Sequence, residues 1–379
     1  MAEDRLIRFQ RPQLPRLSDV AEHYALSEEA SWFSNGGPCV TRLEQDAARY
    51  LGLPTGGAAV SNATAGLMVA MQAIFGPPSG PRRVVAVPSF TFVASINAIT
   101  WCGYEPLFLD IDPQDWQQSA DDLRALAQRE SELAGILLCS TFGTAPSARR
   151  REEMSDIIAS LSTPVVVDSA AGFGAVDDHG RHLGDQGSAE VFSFHATKPF
   201  AIGEGGLVTS RDPSLVAEIK FLSNFGFDLS RRITRPYGMN AKMSELHGAM
   251  GLTVLEDFPR ILHQRRTAAT WLIGELAKFG VRAQAGHEGS TFQFVSVAMP
   301  DHESRERLLR LGPELRIEFR AYFEPPMHEV EIFSAYGRVS DLTNTIDLSR
   351  RVVALPMAND MDGRALERIR DAVIEAVTS

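Results

Sequence analysis

A chain of 379 residues with 44% hydrophobic and 22% charged residues can bury a sizeable interior, which excludes a disordered or low-complexity protein and predicts a large domain plus a smaller one. The net charge of −11 disfavours nucleic acid and anionic lipid as partners, so an anionic ligand needs a local binding site. No apolar run reaches the length of a membrane span and residues 1–5 lead into mixed polar sequence, so we expect a cytoplasmic protein without a membrane partner.

Apolar, β-rich runs alternate with helical patterns in the first half of the chain. The runs that have the length of a buried strand lie at 83–87, 106–110, 135–139 and 164–168. Helical patterns lie at 64–73, at 121–128 after the predicted cap Ser119, and at 149–160. This alternation predicts an α/β fold whose largely parallel sheet is covered on both faces and binds ligands beyond the carboxyl ends of its strands.

The pattern changes after about residue 250. We predict a long helix at 259–279, a β-rich stretch at 291–298 and a closing helix from Gly363. No flexible linker separates the two parts, so we expect them to pack closely. The predicted division is a large domain of residues 1–250 and a small C-terminal α/β domain of residues 251–379.

The three cysteines of the chain are an odd number and lack metal-ligand spacing. We interpret Cys39, Cys102 and Cys139 as small buried side chains of a protein in a reducing compartment. We therefore predict no metal site.

Lysine usage is unusual. Of the 37 basic residues only four are lysines, and the first, Lys198, follows a short apolar strand and precedes a glycine turn at 203–206. Arginine can replace lysine where only positive charge is needed, but it cannot lose its proton and form a Schiff base with an aldehyde. The alternatives are a solvated surface charge and a nucleotide bias in the genome. We favour a cofactor-bearing lysine because other residues supply partners for it.

Two segments are candidates for binding a phosphate. Residues 61–67 open a predicted helix with small and hydroxyl-bearing side chains, and the N–H groups at the positive end of a helix bind phosphate well. A simple helix cap is the alternative. Ser193, on the strand that leads to Lys198, is the second candidate, with a strand-end hydrogen bond as its alternative.

Asp168 ends an apolar run and precedes the small residues 169–172, so its carboxylate is predicted at a strand's carboxyl end. A buried acid needs a cationic partner, and a protonated pyridine nitrogen would serve while keeping the ring an electron sink. The alternative is an Asp bonded to loop N–H groups. Phe92, just beyond another predicted strand, is a candidate to stack on a flat heteroaromatic ring, with a place in the core as its alternative.

These residues resemble the pyridoxal-phosphate-dependent nucleotide-sugar aminotransferases of the DegT/DnrJ group, which have the aspartate-aminotransferase (type I) fold. The resemblance runs through nearly the whole chain. Its motifs lie at 35–38, 43–44, 62–65, 88–94, 108–113, 168–175, 193–198 and 238–245. Two positions depart from the usual pattern, since Ala171 stands where many members have Gln or His and Lys242 stands where Arg is usual.

The resemblance implies that pyridoxal 5′-phosphate is bound to Lys198 as a Schiff base, that Lys198 also moves protons, and that Asp168 pairs with the pyridine nitrogen. Six further residues are implied as cofactor contacts: Ala63, Thr64, Ala65 and Ser193 at the phosphate, Phe92 against the ring, and Asn240 at the phosphate of the neighbouring subunit's cofactor. The implied unit is therefore at least a homodimer with active sites at its interface.

The implied reaction moves an amino group from an amino acid, with glutamate expected, to a nucleotide-linked keto-deoxysugar. The sequence around Lys198 is similar to that of members that aminate C-4, and amination at C-3 is the alternative. Arg231, Arg232 and Arg235 are candidates for the substrate diphosphate, or ordinary surface arginines. A lyase or dehydratase on the same fold would also use Lys198, whereas a non-catalytic regulator would bind the cofactor without turning it over.

Overall fold

The computed structural model describes residues 5–129, 131–228 and 233–379. Within these ranges the α-helices are α1 (Leu17–Glu29), α2 (Pro38–Tyr50), α3 (Ala63–Phe75), α4 (Val93–Trp101), α5 (Ala120–Ala125), α6 (Ala148–Leu161), α7 (Pro213–Ser223), α8 (Glu245–Ala277), α9 (His302–Glu314), α10 (Thr343–Arg351) and α11 (Gly363–Thr378). The strands are β1 (Gly57–Val60), β2 (Val84–Pro88), β3 (Glu105–Leu109), β4 (Leu133–Cys139), β5 (Val165–Asp168), β6 (Ala189–Ser193), β7 (Gly206–Thr209), β8 (Phe227–Asp228), β9 (Ile233–Thr234), β10 (Arg282–Ala283), β11 (Val295–Ala298) and β12 (Val352–Leu355).

The large sheet has seven strands in the order β1-β7-β6-β5-β4-β2-β3. Strand β7 runs antiparallel to both of its neighbours, β1 and β6, and the other six strands of this sheet all run in one direction. The four predicted strands correspond to β2, β3, β4 and β5, which confirms the mostly parallel sheet. These strands read as continuous apolar runs because helices bury both of their faces.

Neighbouring residues of the central strands point to opposite helical layers. Val191 and Val208 pack in a core with α3, α4 and α7, whereas Phe192 and Leu207 pack in a core with α2 and α8. The predicted helices correspond to α3, α5 and α6, and the predicted cap Ser119 accepts from the Asp122 backbone N–H at 3.2 Å. The large sheet is therefore the centre of an α/β/α sandwich.

A second sheet of three antiparallel strands, β10-β11-β12, forms in the C-terminal part. Its core includes Val295 and Val353 together with side chains from α8, α9 and α11. The N-terminal segment joins this part, since Ile7 pairs with Ile317 and the Phe9 N–H donates to Glu318 at 2.9 Å. The predicted closing helix is confirmed as α11.

The predicted start of the long helix at residue 259 is wrong. Helix α8 begins at Glu245, and the Ser244 hydroxyl caps it by accepting from the His247 N–H at 3.3 Å. Pro259 lies inside the helix, where the buried neighbours Phe258 and Ile261 anchor the chain on both sides of it. Tertiary packing here outweighs the usual preference of proline for a first turn. The predicted domain boundary at 250/251 falls within α8, and the division itself stays a prediction.

Three further expectations concern membranes, metals and cysteines. No helix in the described ranges is long and apolar enough to cross a membrane. The same part of the chain contains no cluster of His, Cys, Asp or Glu side chains that could hold a metal ion. Cys39, Cys102 and Cys139 are buried and free.

Candidate active site

Asp168 is the last residue of β5, beside Cys139 at the end of β4. Its side chain is 8% exposed. Oδ2 accepts from the Ser95 hydroxyl at 2.6 Å and Oδ1 accepts from the Ala170 N–H at 3.0 Å. Burial raises the pKa of Asp168, while these hydrogen bonds and the charge of Lys198 act in the opposite direction. The carboxylate is therefore held in one orientation at the sheet edge where a cationic ligand atom would stabilise it.

Lys198 lies in the loop after β6, and its half-buried Nζ donates to Gln293 Oε1 at 2.9 Å. Burial lowers its pKa to about 8, although the negative charge of Asp168 favours the protonated form. A lysine with this pKa exposes a larger fraction of nucleophilic free amine near neutral pH than a surface lysine does. Gln293 belongs to the segment before β11 in the C-terminal part, whereas Lys198 follows β6 of the large sheet. This hydrogen bond therefore joins the two parts of the chain at the amine.

The amino end of α3 leaves two N–H groups available. The Asn62 side chain caps the helix by accepting from the Ala65 N–H at 2.8 Å. Among the described residues, no hydrogen bond involves the N–H of Ala63 or of Thr64. The segment is therefore both a helix cap and a candidate phosphate site, because Asn62 caps the helix and two N–H donors still remain for an anion.

Ser193 lies beside this helix end. It pairs with Gly206 across β6 and β7, and a Cβ atom placed on Gly206 would lie 3.1 Å from the Ala63 nitrogen. Glycine therefore leaves the space in front of the helix end open. The Ser193 hydroxyl accepts from the His195 N–H at 3.3 Å, which is the expected strand-end bond, and its own proton remains available to a phosphate oxygen.

Phe92 precedes α4 and is 54% exposed, so it is not a core residue. Its ring centroid lies 6.4 Å from that of Phe323. A half-exposed ring at the carboxyl edge of the sheet is available to cover a flat ligand.

Asn240 and Arg235 make their described contacts away from Lys198 and Asp168, since no hydrogen bond or ion pair within the described ranges joins either residue to that pair. Asn240 is exposed, and within the described ranges its side chain makes no hydrogen bond to the other predicted site residues. Arg235 forms an ion pair with Glu218 at 2.6 Å and lies over the Phe221 ring at 5.3 Å, so this arginine is engaged on the surface of its own chain. Arg231 and Arg232 lie outside the described residues.

The two departures from the family pattern are accommodated locally. The Ala171 carbonyl accepts from the Thr291 hydroxyl at 2.6 Å, which ties this loop to the C-terminal part. Lys242 Nζ lies 4.3 Å from the centroid of the Phe225 ring, and burial lowers the pKa of this lysine.

Three site residues were not predicted from the sequence. Ser95 orients Asp168, Gln293 binds the Lys198 amine, and Arg265 lines the same small cavity as Lys198. Arg265 and its neighbour Arg266 look in sequence like solvated residues of a long helix, and Gln293 is far from Lys198 along the chain. No periodicity or motif signalled any of the three.

The combined donor set fits a phosphate-bearing pyridine aldehyde. The amine of Lys198 has the lowered pKa that imine formation needs, and the buried Asp168 is oriented for a protonated ring nitrogen. The free N–H groups of α3 and the open space at Gly206 fit a phosphate. These are the three chemical features of pyridoxal phosphate.

A model of the DegT/DnrJ/EryC1/StrS aminotransferase family matches residues 18–374, so the chain belongs to this family. It is an enzyme with the type I fold of pyridoxal-phosphate-dependent aminotransferases, and its cofactor is pyridoxal 5′-phosphate. Protein Rv3402c of Mycobacterium tuberculosis is 37% identical over 376 residues, which cover 98% of this chain and 90% of that protein.

Two solved structures are similar over nearly the full length. A putative PLP-dependent aminotransferase from Bacillus cereus has a TM-score of 0.89 and 31% identity, with 97% of this chain and 100% of that chain covered. DesI, solved in the presence of its TDP-sugar product, has a TM-score of 0.87 and 31% identity, with 99% and 93% covered.

Proposed function

We propose that this protein transfers an amino group from an amino acid, with L-glutamate as the donor, to C-4 of a nucleotide-linked keto-deoxysugar. The observation that carries the proposal is the Lys198 amine, whose pKa is lowered to about 8, close to the oriented carboxylate of Asp168. The similarity to DesI, whose structure contains a TDP-sugar product, supports a nucleotide sugar as the acceptor. The residues around Lys198 resemble those of C-4 aminating members, which supports this position.

Each proposed site residue has a distinct task. Bound pyridoxal phosphate supplies an electron sink next to the carbon that loses or gains a proton. Lys198, once its Nζ is free, accepts the α-proton of the donor and returns a proton to the neighbouring carbon. Asp168 stabilises the protonated ring nitrogen, and Phe92 covers one face of the ring.

The remaining groups hold the phosphate and the free amine. Ala63, Thr64 and Ala65 form the amino end of α3 against the phosphate, where the N–H groups of Ala63 and Thr64 and the hydroxyl of Ser193 donate to it while the Ala65 N–H stays with Asn62. Gln293 accepts a hydrogen bond from the Lys198 amine when that amine is not covalently engaged, so Nζ stays close to the reacting carbon. The same residues act in reverse order when the amino group passes to the sugar.

An absorbance experiment tests the function. The protein is loaded with pyridoxal phosphate, mixed with L-glutamate, and then given nucleotide-linked 4-keto and 3-keto sugars in separate cuvettes. We expect glutamate to replace the lysine-bound spectrum with that of the amine form, and one 4-keto sugar to restore it. Restoration by a 3-keto sugar alone would move the reaction to C-3.

Two other results would each support a different function. Release of water or ammonia without any need for an amino acid would show a dehydratase or lyase. A lysine-bound spectrum that no amino acid changes would favour a non-catalytic regulator.

The proposal includes a homodimer in which Asn240 binds the phosphate of the partner's cofactor. Asn240 is exposed in the single chain. Two exposed aromatic side chains belong to the same surface, because Tyr237 is three residues before Asn240 and the Phe225 N–H donates to the carbonyl of the adjacent Met239 at 3.0 Å. Exposed aromatic rings of this kind are typical of surfaces that a second subunit covers.

Mixing two inactive variants tests this arrangement. Asn240→Ala removes one hydrogen bond to a charged phosphate, so we expect its cofactor affinity to fall by about 10- to 100-fold. At low cofactor concentration neither Asn240→Ala nor Lys198→Arg turns over. Refolded mixtures of the two should recover roughly a quarter of wild-type turnover, because each mixed dimer has one intact site. No recovery in mixtures shown to contain mixed dimers would place Asn240 in its own subunit's site.

The lowered pKa of Lys198 predicts how cofactor uptake depends on pH. Only the unprotonated amine attacks the aldehyde, so the rate rises by about tenfold per pH unit below the pKa of about 8 and levels off above it. Stopped-flow absorbance after mixing cofactor-free protein with pyridoxal phosphate between pH 6 and pH 10 measures this profile. A rate that still rises steeply between pH 9 and pH 10 would contradict the lowered pKa.

A cytoplasmic location is also part of the proposal. The three buried free cysteines suit a reducing compartment. Fractionation of cells that produce the tagged protein tests the location, and recovery from a secreted fraction would reject it.

A further inference from the structure

We propose that Thr197 and His195 are positioning residues that fix the Gln293 side chain and, through it, the free amine of Lys198. The inference rests on the proposed amino transfer, in which Lys198 moves protons, and it names residues that act on that amine through Gln293. Its basis is a directional series of contacts that begins at the amine and ends at the protein surface.

The Gln293 side chain links the amine to the loop that carries it. Gln293 is 7% exposed. Its Oε1 accepts from Lys198 Nζ at 2.9 Å, and its Nε2 donates to Thr197 Oγ1 at the longer distance of 3.4 Å. A lysine ammonium has donors only, so the amide oxygen must face Lys198 and the amide NH₂ must face Thr197. The Thr197 hydroxyl therefore receives one hydrogen bond and keeps its own proton for another acceptor.

The acceptor for that proton is the His195 ring. Its Nδ1 lies 2.9 Å from Thr197 Oγ1 and accepts from the Thr197 backbone N–H at 3.3 Å. A ring nitrogen that faces two donors is the one without a proton, so the neutral ring carries its proton on Nε2. Nε2 faces Glu204 Oε1 at 3.6 Å, and 61% of the Glu204 side chain is exposed. Each N–H or O–H in the series therefore points away from Lys198 and toward the surface.

This single direction of hydrogen bonding fixes one orientation of the Gln293 amide. Without an acceptor at His195, the Thr197 hydroxyl would be free to turn its proton toward the amide, and the amide would be free to turn its NH₂ group toward Lys198. The amine would then face a donor in place of an acceptor. Hydrogen bonds in a chain also polarise one another, so the His195 acceptor strengthens the hold of Gln293 on the amine.

The amine needs this anchor because only the backbone of its loop is fixed locally. The Lys198 N–H donates to the His195 carbonyl at 2.9 Å, and the Ala196 N–H donates to the Gly203 carbonyl at 2.8 Å. These bonds close the turn, but the four-carbon stem of lysine remains flexible. The Gln293 contact therefore decides where the end of that stem lies.

Two pairs of variants separate the hydrogen bonds from the shape of the side chains. Thr197→Val keeps a similar shape and removes the hydroxyl, whereas Thr197→Ser keeps the hydroxyl. His195→Leu removes the ring acceptor, whereas His195→Asn keeps an acceptor near the position of Nδ1. Thr253→Val is the control for the general effect of the substitution, since the Thr253 hydroxyl donates to the Ala249 carbonyl at 3.1 Å within α8. If Thr197→Val does not fold, His195→Leu tests the same series from its outer end.

The first readout uses cofactor-free protein. Acetic anhydride labels free amines between pH 6 and pH 10, and peptide mass spectrometry follows the modification of Lys198, whose pKa burial lowers to about 8. Loss of a fixed acceptor destabilises the ammonium, so Thr197→Val and His195→Leu should move the labelling midpoint down by about one pH unit. Thr197→Ser, His195→Asn and Thr253→Val should keep the wild-type midpoint.

The second readout is the absorbance of the loaded enzyme during conversion by L-glutamate. A misplaced amine transfers protons more slowly, so Thr197→Val and His195→Leu should lower the rate at saturating glutamate by about 10-fold. The glutamate concentration at half-saturation should change by less than roughly threefold, because the series holds the amine and not the donor. Thr197→Ser and His195→Asn should react within about threefold of the wild-type rate.

The possible outcomes separate this proposal from the proposed function. Equal results for Thr197→Val and Thr197→Ser, or equal losses for Thr197→Val and Thr253→Val, would reject the positioning role. An unchanged midpoint in both Thr197→Val and His195→Leu would reject it as well. If the wild-type enzyme reacts with no amino acid, the proposed function fails, and the labelling midpoints still decide whether these contacts fix the Lys198 amine.

Discussion

Replacement of Lys198 by arginine should leave a folded protein that binds the phosphate of the cofactor but forms no covalent bond to it. Arginine keeps the positive charge and can still donate to Gln293, yet it has no nucleophilic amine at working pH. Turnover should fall on the order of 10⁴-fold or more, since loss of a nucleophile removes the whole pathway. Borohydride reduction followed by peptide mass spectrometry measures the bond directly and should label Lys198 only in the wild type.

The same substitution at another lysine serves as the control for the general effect of replacing a lysine by an arginine. Lys278 is exposed and pairs with Glu275 at 2.6 Å on the same helix, so Lys278→Arg should react as the wild type does. Borohydride labelling of Lys220, Lys242 or Lys278 in the Lys198→Arg protein would reassign the cofactor-bearing residue.

Replacement of Asp168 by asparagine should preserve the covalent bond and remove most of the turnover. The amide has no negative charge, so the protonated ring nitrogen loses its partner and the ring becomes a poorer electron sink. Its NH₂ group must also face one of two donors, the Ser95 hydroxyl and the Ala170 N–H. We expect turnover to fall on the order of 10³-fold, about 4 kcal/mol in the activation barrier. Single-turnover absorbance with glutamate measures the slow step.

Glu190 provides the matched control for this change. It is a fully buried carboxyl on the adjacent strand β6, and burial raises its pKa to about 7. It accepts hydrogen bonds from Ser169 and from the Gly184 N–H. Glu190→Gln should lower the midpoint temperature of thermal unfolding, while the folded protein should turn over as fast as the wild type. An Asp168→Asn enzyme that reacts as fast as this control would remove Asp168 from the mechanism.

Much of the fold is predictable from local pattern. The strands β2 to β5 are mostly apolar because each is buried on both faces, and that property is visible in the sequence without knowledge of their neighbours. The cap Ser119 is equally local, because the side-chain oxygen and the N–H that it accepts from are three residues apart. The start of α8 was not predictable, since Pro259 suggested a beginning where long-range packing instead supports a continuous helix.

The sequence by itself determined that the chemistry is that of a lysine-bound aldehyde cofactor. A rare lysine before a glycine turn and an acid at the end of a predicted strand are a combination that few other functions require. The tertiary structure alone brought Ser95 to Asp168, Gln293 to Lys198, and Arg265 into the same cavity. The physical reason is the distance along the chain over which each property is determined. A strand or a cap depends on neighbours within a few residues, whereas burial of a charge depends on every segment that packs around it.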